Sequence, residues 1–313
     1  MTSSAPEYSV VIPVYNSSQH VGATIDACVD YLESSGLSYE LILVNDSSRD
    51  TSWDVIRERC ARHPRLKAIN LLRNYGQHTA VLCGLEHSRG EYVVTLDDDL
   101  QNPPGEIAHL RRKAAEGHDV VFGRFRKKHH SLVRRLGSWL INWVNTRIFQ
   151  KPPELVLTNF RLLHRSVVQR IVAHKTPYPY ISGLAAMYAQ RPADVAVEHR
   201  PRTAGRSNYG PLEILEVVMR ILFNYSAFPL RLTSAIGLMV SLLSLLLAGY
   251  FLARGLFLGT SVPGWASVAA MLAFFNGLSL LLLGMLGEYI IRVLRQVSQG
   301  GHYHVTEIIG PER

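Results

Sequence analysis

Cysteine is scarce in this chain: Cys28, Cys60 and Cys83 are the only three in 313 residues, and no CxxC occurs. An odd, dispersed set argues against a disulfide scaffold and a structural zinc site, and fits a reducing compartment. Charge is also scarce, at 19% of residues against 47% hydrophobic, which is too apolar for disorder. With 23 Gly and 15 Pro there is no fibrous or low-complexity signature. The short motifs GxGxxG, GxxxxGK, GxSxG and HExxH are all missing. Their absence removes the dinucleotide fingerprint, the Walker loop, the hydrolase elbow and the zinc-protease helix. The opening MTSSAPEYSVVIPVYN has no basic segment followed by an apolar core, so it does not read as a signal peptide.

The charge that is present is unevenly placed. Residues 232–253 form a run of 22 without charge, and 255–287 a run of 33, interrupted only by Arg254. About 20 apolar residues cross a bilayer. The first run therefore predicts one span, and the second a turn near Val262-Pro263-Gly264 followed by another span ending before Glu288. A buried helical hairpin is the alternative, but two full-length runs end to end favour the membrane. Arg220 and Arg231 before the pair, and Arg292 and Arg295 after it, place both flanks in the cytoplasm; Arg254 at the tip argues weakly the other way. The segment 211–228 has an apolar helical face of Leu212, Leu215, Val218, Met219 and Leu222. It is either an interfacial helix on the inner leaflet or an amphipathic helix packed on a globular domain. The expected layout is a cytoplasmic domain at 1–209, an interfacial helix at 210–231, a transmembrane hairpin at 232–288 and a cytoplasmic tail at 289–313. The net charge of +8 then points to anionic lipid and phosphate, and no nucleic-acid partner is expected.

Within 8–123, short β-branched runs at 8–14, 40–45, 67–72, 91–96 and 119–122 alternate with helix-like stretches near 19–35, 51–62, 76–89 and 104–116. This spacing predicts an α/β fold with a mostly parallel sheet covered on both faces. Ligands of such sheets bind at the carboxyl ends of the strands. Polar clusters follow four of the runs: Tyr15-Asn16, Asp46-Ser47-Ser48, Arg73-Asn74 and Asp97-Asp98-Asp99. They predict one shared crevice.

Three adjacent carboxylates repel one another unless something positive sits among them. Strand alternation would put Asp97 and Asp99 on one side, with Gln101 two residues further on. Two hard oxygen ligands plus a diphosphate suit Mg²⁺ or Mn²⁺. The alternative is an acidic N-terminal turn ahead of Pro103-Pro104, favoured by the helix dipole.

The set VVIPVYN, LVNDSSRD, NYGQHTAVLCGL and TLDDDLQNPP resembles the family 2 glycosyltransferases of GT-A, Rossmann-like fold. With the two C-terminal runs, the chain is similar to the polyisoprenyl-phosphate glycosyltransferases, and NYGQH with LDxDLQNPP to their undecaprenyl-phosphate aminoarabinose branch. The resemblance spans nearly the whole chain. It implies a UDP-sugar donor, an undecaprenyl or other polyisoprenyl phosphate acceptor, and a site at the cytoplasmic face of the inner membrane. It implies that Pro13, Tyr15 and Asp46 meet the base and ribose, and that Asp97, Asp99 and Gln101 hold metal and diphosphate. Arg124, Arg134 and Arg135 would meet phosphates, with Asp97, Asp99, Arg124 and Arg134 as the catalytic set. Arg202, Arg206 and Ser207 would close over the site, while Asn16, Gln77 and Asp98 complete the donor-binding residues.

Three positions depart from the pattern. Ser17 stands where Glu is usual, Asn159 where many relatives have Asp before Phe-Arg, and Asn208 where Lys is frequent. A phosphate monoester has its second pKa near 6, so at neutral pH it is largely a dianion and has little need of a base. Asn159 therefore fits a phosphate acceptor. Transfer to a glycan hydroxyl would require His164 or Asp98 as base, and a non-catalytic partner of a flippase is a further alternative. Gly277, Gly284 and Gly287 offer small-residue helix packing and leave a homo-oligomer open.

Overall fold

The computed structural model describes residues 5–125, 132–176, 178–200, 211–226, isolated positions between 228 and 257, 264–297 and 303–310. The chain divides into two units, 1–218 with 300–313, and 219–299.

The first unit is built on an eight-stranded sheet in the order β7-β5-β6-β4-β1-β2-β3-β8. Its strands are β1 (Tyr8–Val14), β2 (Tyr39–Asn45), β3 (Leu66–Leu71), β4 (Tyr92–Thr95), β5 (Val120–Phe125), β6 (Arg161–His164), β7 (Pro192–Val197) and β8 (Val305–Ile309). The strands β3, β2, β1 and β4 run parallel, while β6 is antiparallel to both β4 and β5. Every residue of β1 and β2 is buried, as expected of parallel strands covered on two faces. The helices between them are α1 (Val21–Ser34), α2 (Ser52–Arg62), α3 (Gln77–His87) and α4 (Ile107–Ala115). The helix α1 buries Val21, Ile25, Cys28, Val29 and Leu32, a stripe at helical spacing. The helix α3 lies close on β1 because residue 84 is glycine; a Cβ there would stand 2.2 Å from Val11 Cγ1.

Beyond β5 come α5 (Leu132–Phe149), α6 (Arg165–Ala173), α7 (Ile181–Tyr188) and α8 (Pro211–Tyr225). The C-terminal segment, read from sequence as a tail, instead supplies β8, antiparallel to β3. It is fixed by Trp53 Nε1 donating to Glu307 Oε2 at 3.2 Å and by a Tyr303–Glu86 hydrogen bond. The three cysteines are buried free thiols, each pushed up to about 12 by burial.

The second unit contains α9 (Trp265–Val297), 33 residues long. Among the described residues no helix is long and apolar enough to cross a membrane, so the two expected spans are not shown. Most of 232–253 lies outside the described residues.

Candidate active site

The sheet reverses its strand order between β1 and β4: β2 and β3 lie on one side of β1, and β4 on the other. A crevice opens at such a switch point, outside the carboxyl ends of the strands. Asn16 follows β1, Asp46 follows β2, and Asp97–Asp99 follow β4, so the chain order itself delivers these groups to one place.

Hydrogen bonds knit the strand-end loops together. Asn16 and Ser47 have left-handed backbones, with φ of 49° and 55°, which turn the chain sharply at the sheet edge. The Asn16 N–H donates to Ser48 Oγ at 3.0 Å, and its side-chain oxygen accepts the Arg49 N–H at 2.8 Å. The Ser17 N–H donates to Ser52 Oγ, and the Ser18 N–H to Asp50 Oδ2. Burial alone would raise the Asp50 carboxyl, but donors from Ser52 and Ser18 outweigh it and hold it at about 2. Asp46 is buried and accepts the Tyr75 and Gly76 N–H groups, both at 2.8 Å, one on each oxygen. Gly76 has φ +91° and caps α3, so Asp46 fixes the point from which α3 starts.

The acidic triplet is not on the strand. The strand β4 ends at Thr95, Asp98 and Asp99 form a turn, and Leu100 has φ 56°. Strand alternation therefore does not set their directions; local hydrogen bonds do. Asp97 Oδ1 accepts from Gln77 Nε2 at 2.6 Å, and the Asn159 side-chain amide faces the same carboxyl group and lowers it. The Ser17 hydroxyl and the Tyr15 N–H face the Asp98 carboxyl group and lower it. The Gln101 N–H donates to Asp99 Oδ1 at 3.1 Å. Burial, then repulsion from Asp99 and Asp98, raises Asp97 to about 6; burial, reinforced by Asp99, does the same for Asp98 against its hydrogen bonds.

Below the triplet lies a fully buried cation. Arg161 donates from Nε to Thr95 Oγ1 at 3.1 Å and from Nη1 to Ser182 Oγ at 2.6 Å, and it attracts Asp97. Burial lowers it to about 10, so it stays charged at neutral pH. Beside it His78 sits edge-on to Tyr178 and Tyr180, with ring centroids 5.9 and 5.2 Å away. Burial, with Arg161 nearby, drives His78 down to about 3 and keeps it neutral. Sequence reasoning missed Arg161 as a site residue. Its signal was an arginine inside the apolar run NFRLL.

The other expected residues fall in different places. Tyr15 is exposed beside the crevice, and Pro13 is buried within β1, past the last β4 pair. Proline lacks an N–H, and it costs no ladder bond on the β4 side there. Arg124 is half-exposed at the end of β5 and pairs with Asp194 at 3.6 Å, outside the hydrogen-bonded set around Asp97. Arg202, Arg206, Ser207 and Asn208 lie outside the described residues, as do the side chains of Arg134 and Arg135 on α5. His164 pairs in register with Tyr92, at the start of β4, whereas Asp97 lies beyond its far end. Five residues of extended chain span about 16 Å, so His164 cannot serve as a base at the triplet.

Among the described residues no three or more His, Cys, Asp and Glu side chains converge as a metal cage. Asp97 and Asp99 still fit a hard divalent cation that takes one or two carboxylates plus substrate phosphates. Repulsion from Asp99 and Asp98 helps to raise Asp97, and a bound cation would relieve it.

Residues 9–171 match the glycosyl transferase family 2 domain. The chain is 34% identical over 307 residues to the undecaprenyl-phosphate 4-deoxy-4-formamido-L-arabinose transferase of Edwardsiella ictaluri, covering 96% of this chain and 94% of that one. This chain belongs to glycosyl transferase family 2. Within that family it is also 33% identical to the transferase of the same name from Shewanella sediminis, over 96% of this chain and 92% of that one. It is 30% identical to an uncharacterized glycosyltransferase of Synechocystis, over 98% and 96%. Among solved structures, glucosyl-3-phosphoglycerate synthase of Mycobacterium tuberculosis, in complex with Mn²⁺, UDP-glucose and phosphoglyceric acid, superposes with a TM-score of 0.53 at 16% identity, covering 70% of this chain and 78% of that one. That likeness supports the α/β, mostly parallel GT-A-like fold.

Proposed function

We propose that this family 2 enzyme transfers a sugar from a UDP-linked donor to undecaprenyl phosphate at the cytoplasmic face of the inner membrane, with inversion at the anomeric carbon. The two named transferases, aligned over more than nine-tenths of their lengths, support that donor and acceptor class. They favour 4-deoxy-4-formamido-L-arabinose as the sugar. The observation that carries the reading is the acidic triplet at the switch point, where Asp97 accepts from Gln77 and is raised by its acidic neighbours.

The chain's own residues account for the rest. The β1 and β2 loops, locked by Asn16, Ser17, Asp46 and Asp50, form a preorganised floor for the nucleotide. Asp97 and Asp99, with Gln101, would hold Mg²⁺ or Mn²⁺, which supplies neutralisation of the diphosphate and of the departing UDP. One acceptor phosphate oxygen bonds to the anomeric carbon from the face opposite UDP, and the bond to the diphosphate oxygen breaks. No proton need be removed, because the phosphate is largely a dianion at neutral pH. Transfer to a hydroxyl is not favoured. Asn159 is an amide, Asp98 is engaged by Ser17 and Tyr15, and His164 is at the wrong end of β4.

Membrane attachment rests on the sequence runs at 232–253 and 255–287 and on one structural fact. The helix α9 exposes Val268, Leu272, Phe274, Leu283 and Leu286, each between 48% and 66%. Large exposed apolar surface of this kind calls for lipid or protein cover.

The test is product analysis by mass spectrometry. Full-length protein is incubated with Mn²⁺, a panel of UDP-sugars, and either undecaprenyl phosphate or undecaprenol. A phosphodiester-linked glycolipid is expected with the phosphate alone. Product with undecaprenol would overturn the phosphate reading, and no product with any UDP-sugar would overturn the donor class.

A further inference from the structure

Two side-chain amides from separate parts of the fold face Asp97, and one of them is hydrogen-bonded to it. Gln77 stands in the first turn of α3, whose start is fixed by Asp46 through Gly76. Its Nε2 donates to Asp97 Oδ1 at 2.6 Å. Asn159 stands two residues ahead of Arg161, where β6 begins, and its side-chain amide faces the same carboxyl group as a donor that lowers it. The Asn159 position is itself tied down, since its carbonyl accepts from the Thr95 hydroxyl, which in turn receives Arg161 Nε. Both amides thus reach Asp97 from anchored backbone.

A carboxylate accepts hydrogen bonds on two oxygens and about four lone-pair directions. Two donors restrict the rotation of the carboxylate and leave other lone pairs for a cation. A carboxylate at position 159 could not donate while ionised, and would add a further negative charge beside Asp97.

We propose that Gln77 and Asn159 are positioning residues: an amide clamp that orients the Asp97 carboxylate for the divalent cation carrying the donor diphosphate. Asn159 is then not the remnant of a lost base but a donor that the site uses. Gln77, on this view, acts through Asp97 rather than on the nucleotide. The inference rests on the proposed metal-diphosphate role of Asp97. Groups that orient a metal ligand are worth about 10–100-fold in metal affinity.

The experiment measures Mn²⁺ binding to full-length protein by electron paramagnetic resonance with UDP present, and UDP binding without metal by calorimetry. It compares wild type with Gln77→Ala, Asn159→Ala and Asp97→Asn, using melting temperature as a folding check. Gln77→Met and Asn159→Leu, which keep bulk and remove the donors, replace any alanine variant that does not fold. Each clamp variant is expected to weaken Mn²⁺ binding about tenfold, with metal-free UDP affinity unchanged. Mn²⁺ affinity within twofold of wild type in both would overturn the clamp. A matching loss of metal-free UDP affinity would overturn it differently, by showing direct contact with the nucleotide. Asp97→Asn separates the levels. If it leaves Mn²⁺ binding intact, the metal reading of Asp97 fails; if it removes binding while the clamp variants keep it, only the clamp fails.

Discussion

One sheet treats its carboxylates differently at its two ends. At the amino-terminal end of the parallel strands, Glu40 is buried and fully answered. It accepts from the Ser9 hydroxyl and the Arg89 N–H, both at 2.6 Å, and pairs with Arg89 Nε at 3.1 Å. Arg165 completes that end by donating to the Gly90 and Ser88 carbonyls. At the carboxyl end, three aspartates stand side by side, with Arg161 the buried cation beside Asp97 among the described residues, and two of them are pushed up to about 6. Carboxylates raised by one another at a strand-end crevice mark a candidate functional site, and a divalent cation with a diphosphate is the ligand that the proposed transfer would bring there.

Substitutions at the two ends should separate activity from stability. The largest effect is expected at the crevice: Asp97→Asn should lower sugar transfer by at least about a thousandfold, through loss of charge stabilisation as UDP leaves, without lowering the melting temperature. Steady-state UDP release and a thermal melt on one preparation check both halves. Glu40→Gln should do the reverse. It strips a buried, hydrogen-bonded charge and should cost about 2–3 kcal/mol in denaturant unfolding, while transfer per folded molecule stays within twofold. If Glu40→Gln abolished transfer in folded protein, the division of labour between the ends would be broken.

A pH series sharpens the contrast. Asp97 and Asp98 are raised from 3.8 to about 6 in the folded chain. A raised carboxyl binds its proton more tightly folded than unfolded, so its contribution is most favourable below the unfolded value and is lost as pH rises through about 4 to 6. In metal-free protein, Asp97→Asn should therefore be more stable than wild type by about 1–2 kcal/mol at pH 7.5, with the gap closing near pH 4. A gap that did not change with pH would contradict the assigned shift. The smallest expected effect lies away from both ends, at β8. Trp53→Phe removes the hydrogen bond to Glu307 and should cost about 1 kcal/mol with no change in transfer.

The parallel core was legible in the sequence because its signal is local. The runs at 8–14, 40–45 and 67–72 coincide with β1, β2 and β3 to within a residue, and the helices between them follow from amphipathic spacing. The strands β6, β7 and β8 were not legible. The four residues of β6 begin with Arg161 and end with His164; β7 begins with Pro192; β8 pairs with β3 across more than 230 positions of chain. Short or polar-ended strands carry little periodicity, and an edge strand added from the far terminus carries none that names its partner. Asp97, Asp98 and Asp99 stood out by their charge and by their place after the run 91–96, but strand alternation does not set their directions because β4 stops at Thr95. Asp46 was expected to meet the donor; in the structure it also holds the Tyr75 and Gly76 N–H groups, a role that the sequence did not signal. The meeting of Gln77, Asn159 and Arg161 around Asp97 depends on three separate elements, a relation that no single-sequence spacing encodes.

The most direct test of the central claim is a thermal melt of wild type and Asp97→Asn in chelator, with Mn²⁺, with UDP, and with both. A ligand pair at a hundred times its dissociation constant stabilises by about 2.7 kcal/mol, which a melt resolves. The account predicts a rise in wild type that needs Mn²⁺ and UDP together and is absent in Asp97→Asn. A wild type that ignores the pair, or a variant that responds as strongly, would contradict it.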